Sequence, residues 1–216
     1  MGQKVNPINF RTGGIFNWKS LWFASKSDYS TKVLEDHKLR AYLEEELANA
    51  GLVDIEIKRS INKLLVLISV ARPGVVIGKG GSNLEKIKLG IERVINVSKD
   101  KRDKARIELK VEEVKKPDLS AKLVVERIIS QLLSRYPHRR AVSQAMEKVM
   151  AAGALGVKIQ LSGRIAGAEI SRSEKYFQGS VPTQTLRANI DYYETPAKTR
   201  SGYVGIKVWI YKGEII

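Results

Sequence analysis

Three glycines and a lysine carry the first chemistry legible in this 216-residue sequence. Gly78, Gly80 and Gly81, with Lys79 among them, stand directly before a helix-forming run in RPGVVIGKGGSNLEKI. Glycine lets a backbone approach a ligand closely, and the orphan N–H groups and positive dipole end of a helix start favour a phosphate. A Walker loop needs a glycine where Pro73 stands and Ser or Thr where Gly80 stands, so it is excluded. A dinucleotide fingerprint fails because its third glycine falls on Asn83. What stays open is a phosphate-binding turn of another kind or a turn that merely joins two helical segments. A second cationic group, Arg139 and Arg140, opens another helical run that continues through Ser143, Gln144 and Lys148.

Other chemistries lack their residues. Cysteine is absent, so disulfides, thiolate metal sites and cysteine nucleophiles are excluded. His37 and His138 are far apart in sequence, no G-x-S-x-G elbow occurs, and Glu44–Glu46 and Glu112–Glu113 read as solvated charge. No catalytic residue, metal, cofactor or small-molecule substrate is expected. No apolar run approaches the ~20 residues that span a bilayer, and no membrane role is expected. The 38 Lys and Arg against 23 Asp and Glu give a net charge of +15, which calls for a polyanionic partner. That charge is shared, +8 over residues 1–116 and +7 over 117–216, so neither half is simply a basic tail.

The elements that must position these residues follow from periodicity. Leu39, Leu43 and Leu47, with Tyr42 alongside, predict a helix from Asp28 that stops at Gly51. Val53, Ile55 and Ile57 alternate, and after a turn near Ser60–Lys63 the run LLVLISV reads as a more buried strand paired with them. Leu84, Ile87, Ile91 and Val94 mark an amphipathic helix closed by KDKRDK, and Ile107, Leu109 and Val111 a third strand. Beyond the charged EEVKKPD, Asp118 is expected to cap a helix through Arg135, with Leu123, Val124, Ile128 and Leu132 inward. Pro137 starts the next helix, whose inner face is Val142, Ala145, Met146 and Val149. Alternation at 157–161, 186–192 and 204–210 predicts strands. The expected organisation is a basic arm over 1–27 with Trp18, Trp22 and Phe23 as packing anchors, domains over 28–112 and 119–216, and a linker over 113–118.

The glycine turn lies in VVIGKGGSNLEKI, which resembles the KH pattern of aliphatic pair, G-x-x-G and amphipathic helix. The order of elements around it is similar to the type II KH arrangement. That likeness implies a turn of Ile77, Gly78, Lys79, Gly80 and Gly81 that clamps about four nucleotides of backbone. The resemblance continues from end to end of the chain. MGQKVNP, SLWFA, ARPGVVIGKGG, SGRIAGAEISRSE, VPTQTLRANIDY and GIKVWIYKGE together resemble the bacterial-type ribosomal protein S-three family.

The family resemblance implies an α+β protein, an N-terminal type II KH domain followed by a C-terminal domain of two helices and a mixed β-sheet. It implies a non-enzymatic component of the small-subunit head in the cytoplasm, binding ribosomal RNA and contacting messenger RNA where it enters during translation. Ribosomal proteins S-ten and S-fourteen are the implied neighbours. Arg139 and Arg140 match the first two positions of the family's R-R-x-x-K cluster at the messenger entrance, while the third falls on Ser143. Lys4, Arg11, Arg164, Arg172 and Arg187 are further candidates for phosphate contacts, which position RNA without reading sequence. Tyr192, Trp209 and Tyr211 could stack bases, but aromatic residues on strands commonly pack instead. The competing reading is a free-standing KH regulator, which the likeness outside the KH segment disfavours.

Overall fold

The computed structural model describes residues 4–60, 63–96 and 106–215. In chain order the elements are α1 Pro7–Phe10, β1 Ser20–Leu21, α2 Lys26–Glu46, β2 Leu52–Arg59, β3 Lys63–Val70, α3 Pro73–Ile77 and α4 Ser82–Asn96. They continue with β4 Arg106–Glu113, α5 Ala121–Leu133, α6 His138–Ala151, β5 Gly156–Gly163, β6 Arg172–Gly179, β7 Ala188–Thr199 and β8 Gly202–Glu214. The chain forms two compact units, one over Trp18–Lys115 and one combining the residues before Trp18 with those from Lys116 on. The expected arm over 1–27 is therefore divided between them.

In the first unit the sheet order is β1-β2-β3-β4. β2 and β3 pair antiparallel, as their short connection requires, whereas β3 and β4 are parallel because α3 and α4 carry the chain across between them. Leu39, Leu43 and Leu47 of the α2 segment meet Ile57, Val66 and Ile68 of the sheet and Ile87 and Ile91 of α4 in one core. α2 ends before Gly51: a short 3₁₀ turn, Ala48–Ala50, intervenes, and Gly51 then takes the left-handed conformation. Of the expected anchors only Trp22 packs, through its ring contact with Tyr29 and its indole hydrogen bond to Asp36. Trp18 and Phe23 are exposed, because β1 is two residues long and lies at the sheet edge. The KDKRDK helix ending and residues 61–62 of the expected turn lie outside the described residues.

Sequence reading also missed a buried charge cluster here. The Arg59 guanidinium donates to Glu35 and Asp36, and Asp36 also accepts from Trp22 Nε1 at 2.8 Å and Ser20 Oγ at 3.1 Å. Both carboxylates are almost fully buried. Nothing in the spacing of Glu35, Asp36 and Arg59 indicates this; only the docking of α2 on β2 brings them together.

The second unit holds a four-stranded sheet in the order β6-β5-β8-β7, with α5 and α6 packed on one face. This sheet, expected to be mixed, is antiparallel throughout. Parallel neighbours need a crossover, and both helices precede all four strands, so none is available. α5 begins at Ala121 rather than at an Asp118 cap; Pro117–Leu119 form a 3₁₀ turn. The Ala121 N–H is instead received by the Asp191 carboxylate of β7, 3.2 Å away. β7 starts two residues later than expected, leaving Leu186 exposed. β6, with the pattern RSEKYFQG, escaped detection because most of it is polar and it forms a solvent-facing sheet edge.

Candidate RNA-binding site

Two positively charged helix starts dominate the geometry, one in each unit. In the first, α3 is opened by Pro73 and stopped by Gly78, whose N–H donates to Gly74 at 2.9 Å. Gly78 has φ 70° and ψ −173°, a conformation that only glycine occupies readily. A Cβ there would sit 2.8 Å from the Cβ of Asn83, so the position is doubly restricted. Asn83 in turn donates from its side chain to the Val75 carbonyl at 3.0 Å, tying α4 to α3 across the turn. Gly80 is left-handed at φ 61° and ψ 19°, with open space around it.

The outcome is a tight chain reversal that exposes Lys79 and Gly80 at the start of the fifteen-residue α4. Helix-start N–H groups and the positive dipole end favour an anion there. Glu85 in the first turn of α4 offsets part of this charge. Ile77, next to the turn, is 43% exposed and offers apolar surface to a base.

In the second unit α6 starts with His138, Arg139 and Arg140 and has no acid in its first turn. Cations at a helix N-terminus oppose the dipole and cost about 0.3–1 kcal/mol each. Beside this start Glu174 of β6 lies 3.1 Å from His138 Nε2. Glu174 is held below the ordinary glutamate range, first by the hydrogen bond from the Tyr176 hydroxyl and then by Arg172 and His138. Arg139 lies beside that same Tyr176 hydroxyl. Arg139, Arg140, Ser143, Gln144 and Tyr136 line one shallow recess of about 240 Å³. Gln144 donates to the Tyr136 hydroxyl at 3.3 Å, holding a polar floor under the two exposed guanidinium groups. Sequence reading did not assign Tyr136 to this recess; it joins through the turn between α5 and α6. Lys148 is in the last turn of α6, about 12 Å along the axis from Arg140, and does not line the recess.

The other candidates divide by environment. Arg11 is not a phosphate contact: it is 2% exposed, and Nε, Nη1 and Nη2 donate to the carbonyls of Ala188, Pro7, Thr183 and Thr185. Four of its five N–H donors are thus consumed, and burial lowers its pKa. Its task is to fasten α1 to the start of β7. Arg164 donates to the Ala168 carbonyl at 2.9 Å, Arg172 pairs with Glu174 at 2.8 Å and Arg187 with Glu214 at 2.7 Å, all at exposed positions. The two surface ion pairs are worth little and exchange readily for another anion, and the Arg164 contact is to a neutral carbonyl. Lys4 is exposed and makes no ion pair among the described residues.

A G-x-x-G turn within the order helix, two strands, two helices and strand defines an RNA-binding protein of the KH class. A KH domain profile matches residues 38–119, and the profile described as ribosomal protein S3, C-terminal domain, matches residues 128–210. Along all of its length the chain is 45% identical to the small ribosomal subunit protein uS3 of Pelagibacter ubique, covering 92% of that protein. It is 46% identical to uS3 of Halalkalibacterium halodurans and 46% to uS3 of Vesicomyosocius okutanii, again over the whole chain and covering 94% and 90% of those proteins. The chain belongs to the uS3 family of small-subunit ribosomal proteins, which are structural RNA binders and not enzymes.

Proposed function

We propose that this chain is an RNA-binding component of the small ribosomal subunit that holds ribosomal RNA and contacts messenger RNA where it enters during translation. The observation that carries the messenger contact is the start of α6, where Arg139 and Arg140 project from a turn without an acid. This electrostatic cost, to which the Tyr176 hydroxyl beside Arg139 brings no negative charge, supports an anion as the partner of the arginine pair. Ser143 in the recess removes one cation from the family's cluster, so the grip on structured messenger rests on the arginine pair. The turn from Ile77 to Gly81 acts as a second backbone clamp. Neighbouring proteins S-ten and S-fourteen and a cytoplasmic ribosome complete the reading.

Sucrose-gradient sedimentation of a lysate, with this chain quantified across fractions, tests it first. The expected result is near-stoichiometric comigration with small subunits that survives a high-salt wash; a mostly free, salt-stripped pool would support a KH regulator instead. In subunits carrying Arg139→Ala with Arg140→Ala, translation through a stable messenger hairpin should slow more than translation of an unstructured message. Equal effects on both messages would remove the arginine pair from the messenger path.

A further inference from the structure

Cross-strand partners in a sheet share a face. On the face of the C-terminal sheet turned away from α5 and α6, Phe177 of β6 stands opposite Lys158 of β5, Lys158 opposite Trp209 of β8, and Trp209 opposite Tyr192 of β7. One row of three aromatic rings and a lysine therefore crosses all four strands. The adjacent row on the same face is Lys175, Gln160, Lys207 and Glu194. The intervening Ile159 and Val208 point the other way, into the helix-covered core.

The rings and cations are already organised. The Lys158 ammonium lies 4.8 Å from the Trp209 ring centroid, and the Tyr192 and Trp209 rings are 5.1 Å apart at 43°. Phe177 is 75% exposed on the edge strand, so the core does not account for it. Burial, and then the charges of Lys175 and Lys4, lower the pKa of Lys158, which places three cations together. None of the three has a carboxylate partner among the described residues. Glu194, the acid in the second row, is occupied by the Tyr192 hydroxyl and by Lys207 at 2.9 Å. A wholly apolar partner would strand these lysines. An acidic polypeptide would neutralise them but leave Phe177 without a flat surface to meet. A nucleic-acid strand supplies phosphates and planar bases together.

We propose that this face binds an unpaired stretch of RNA, one base stacking on Phe177 while Lys158, Lys175 and Lys4 take the flanking phosphates. The proposal rests on the RNA-binding reading above, yet its residues belong neither to the glycine turn nor to the recess at Arg139 and Arg140. Tyr192, buried at the far end of the row, and the half-buried Trp209 stiffen the platform, and Trp209 fixes the Lys158 ammonium.

The test uses the full chain and a labelled eight-nucleotide oligouridine, with an RNA duplex of equal length for comparison. Lys79→Asp with Gly80→Asp is introduced as background to silence the glycine turn. In that background Phe177→Ala should weaken single-strand binding roughly ten-fold, within the range measured for base–aromatic stacking, and Phe177→Trp should restore it. Duplex binding should change less than two-fold. Lys158→Gln with Lys175→Gln should flatten the salt dependence of single-strand binding by about 1.4 in log–log slope.

Single-strand affinity that Phe177→Ala leaves unchanged would overturn the stacking platform. If the glycine-turn background alone abolishes binding, the RNA-binding reading stands and this face is not a site. If the unaltered chain binds no oligonucleotide, both readings fail. A benzoylphenylalanine photoprobe at position 177 in assembled small subunits gives an independent reading: crosslinks to RNA support the proposal, and crosslinks only to protein overturn it.

Discussion

Replacing Gly78 by alanine tests whether the glycine turn is shaped by backbone necessity, and Gly80→Ala, two residues away, is its control. At Gly78 two costs combine. The backbone pair φ 70°, ψ −173° costs a residue with a side chain about 1–3 kcal/mol. The new methyl would also lie 2.8 Å from Asn83 Cβ and 3.3 Å from Asn83 N, atoms fixed to the backbone of α4. Relief requires α4 to shift, which costs about 1–3 kcal/mol more as overpacking and strains the Asn83 bond to Val75. At Gly80 the left-handed conformation costs alanine about 1–2 kcal/mol with no clash. Alanine regains about 0.4–1 kcal/mol at either site by restricting the unfolded chain. The expected net losses are roughly 3 kcal/mol for Gly78→Ala and under about 1 kcal/mol for Gly80→Ala. Amide exchange of β3 peptides in the full chain reads opening of this unit alone. At about 1.4 kcal/mol per factor of ten, exchange should accelerate roughly 150-fold and under about 5-fold respectively. Equal acceleration in the two variants would refute the assignment of Gly78 as the constrained residue and Gly80 as the open one.

Two further outcomes follow from the charge clusters. Arg59→Met should destabilise the first unit by about 3–5 kcal/mol, because it strands two buried carboxylates; adding Glu35→Gln and Asp36→Asn should recover most of this loss in the same exchange measurement, and a triple variant as unstable as Arg59→Met would contradict that cause. Glu174 has a folded-state pKa below its unfolded value, chiefly through the Tyr176 hydroxyl. Its contribution is therefore complete above the ordinary glutamate value and lost as pH falls through the lower folded value. A carboxyl NMR titration should place its midpoint below that of an exposed glutamate, and Tyr176→Phe should raise it; a midpoint unmoved by Tyr176→Phe would count against the hydroxyl as the main cause.

The glycine turn, the long amphipathic elements and the cationic character of the chain are all legible before any fold is known, because each depends on local signals. A glycine pair before an amphipathic run needs no distant contact to be read, and the alternation of Val157, Ile159 and Leu161 states which side of a strand is buried. The end-to-end motif blocks also carried the family. Pairings between residues remote in sequence emerge only on folding. Arg11 reads as one more surface cation until carbonyls about 175 positions away consume its donors. Asp118 reads as the cap of α5, yet the carboxylate that receives the first N–H of that helix comes from Asp191. Phe177 and Lys158 draw no attention in the sequence, and they join Trp209 in one row only through register. Local periodicity specifies which face of an element is apolar; which polar groups meet across elements depends on strand order and register, and these are settled by the packing of the whole domain.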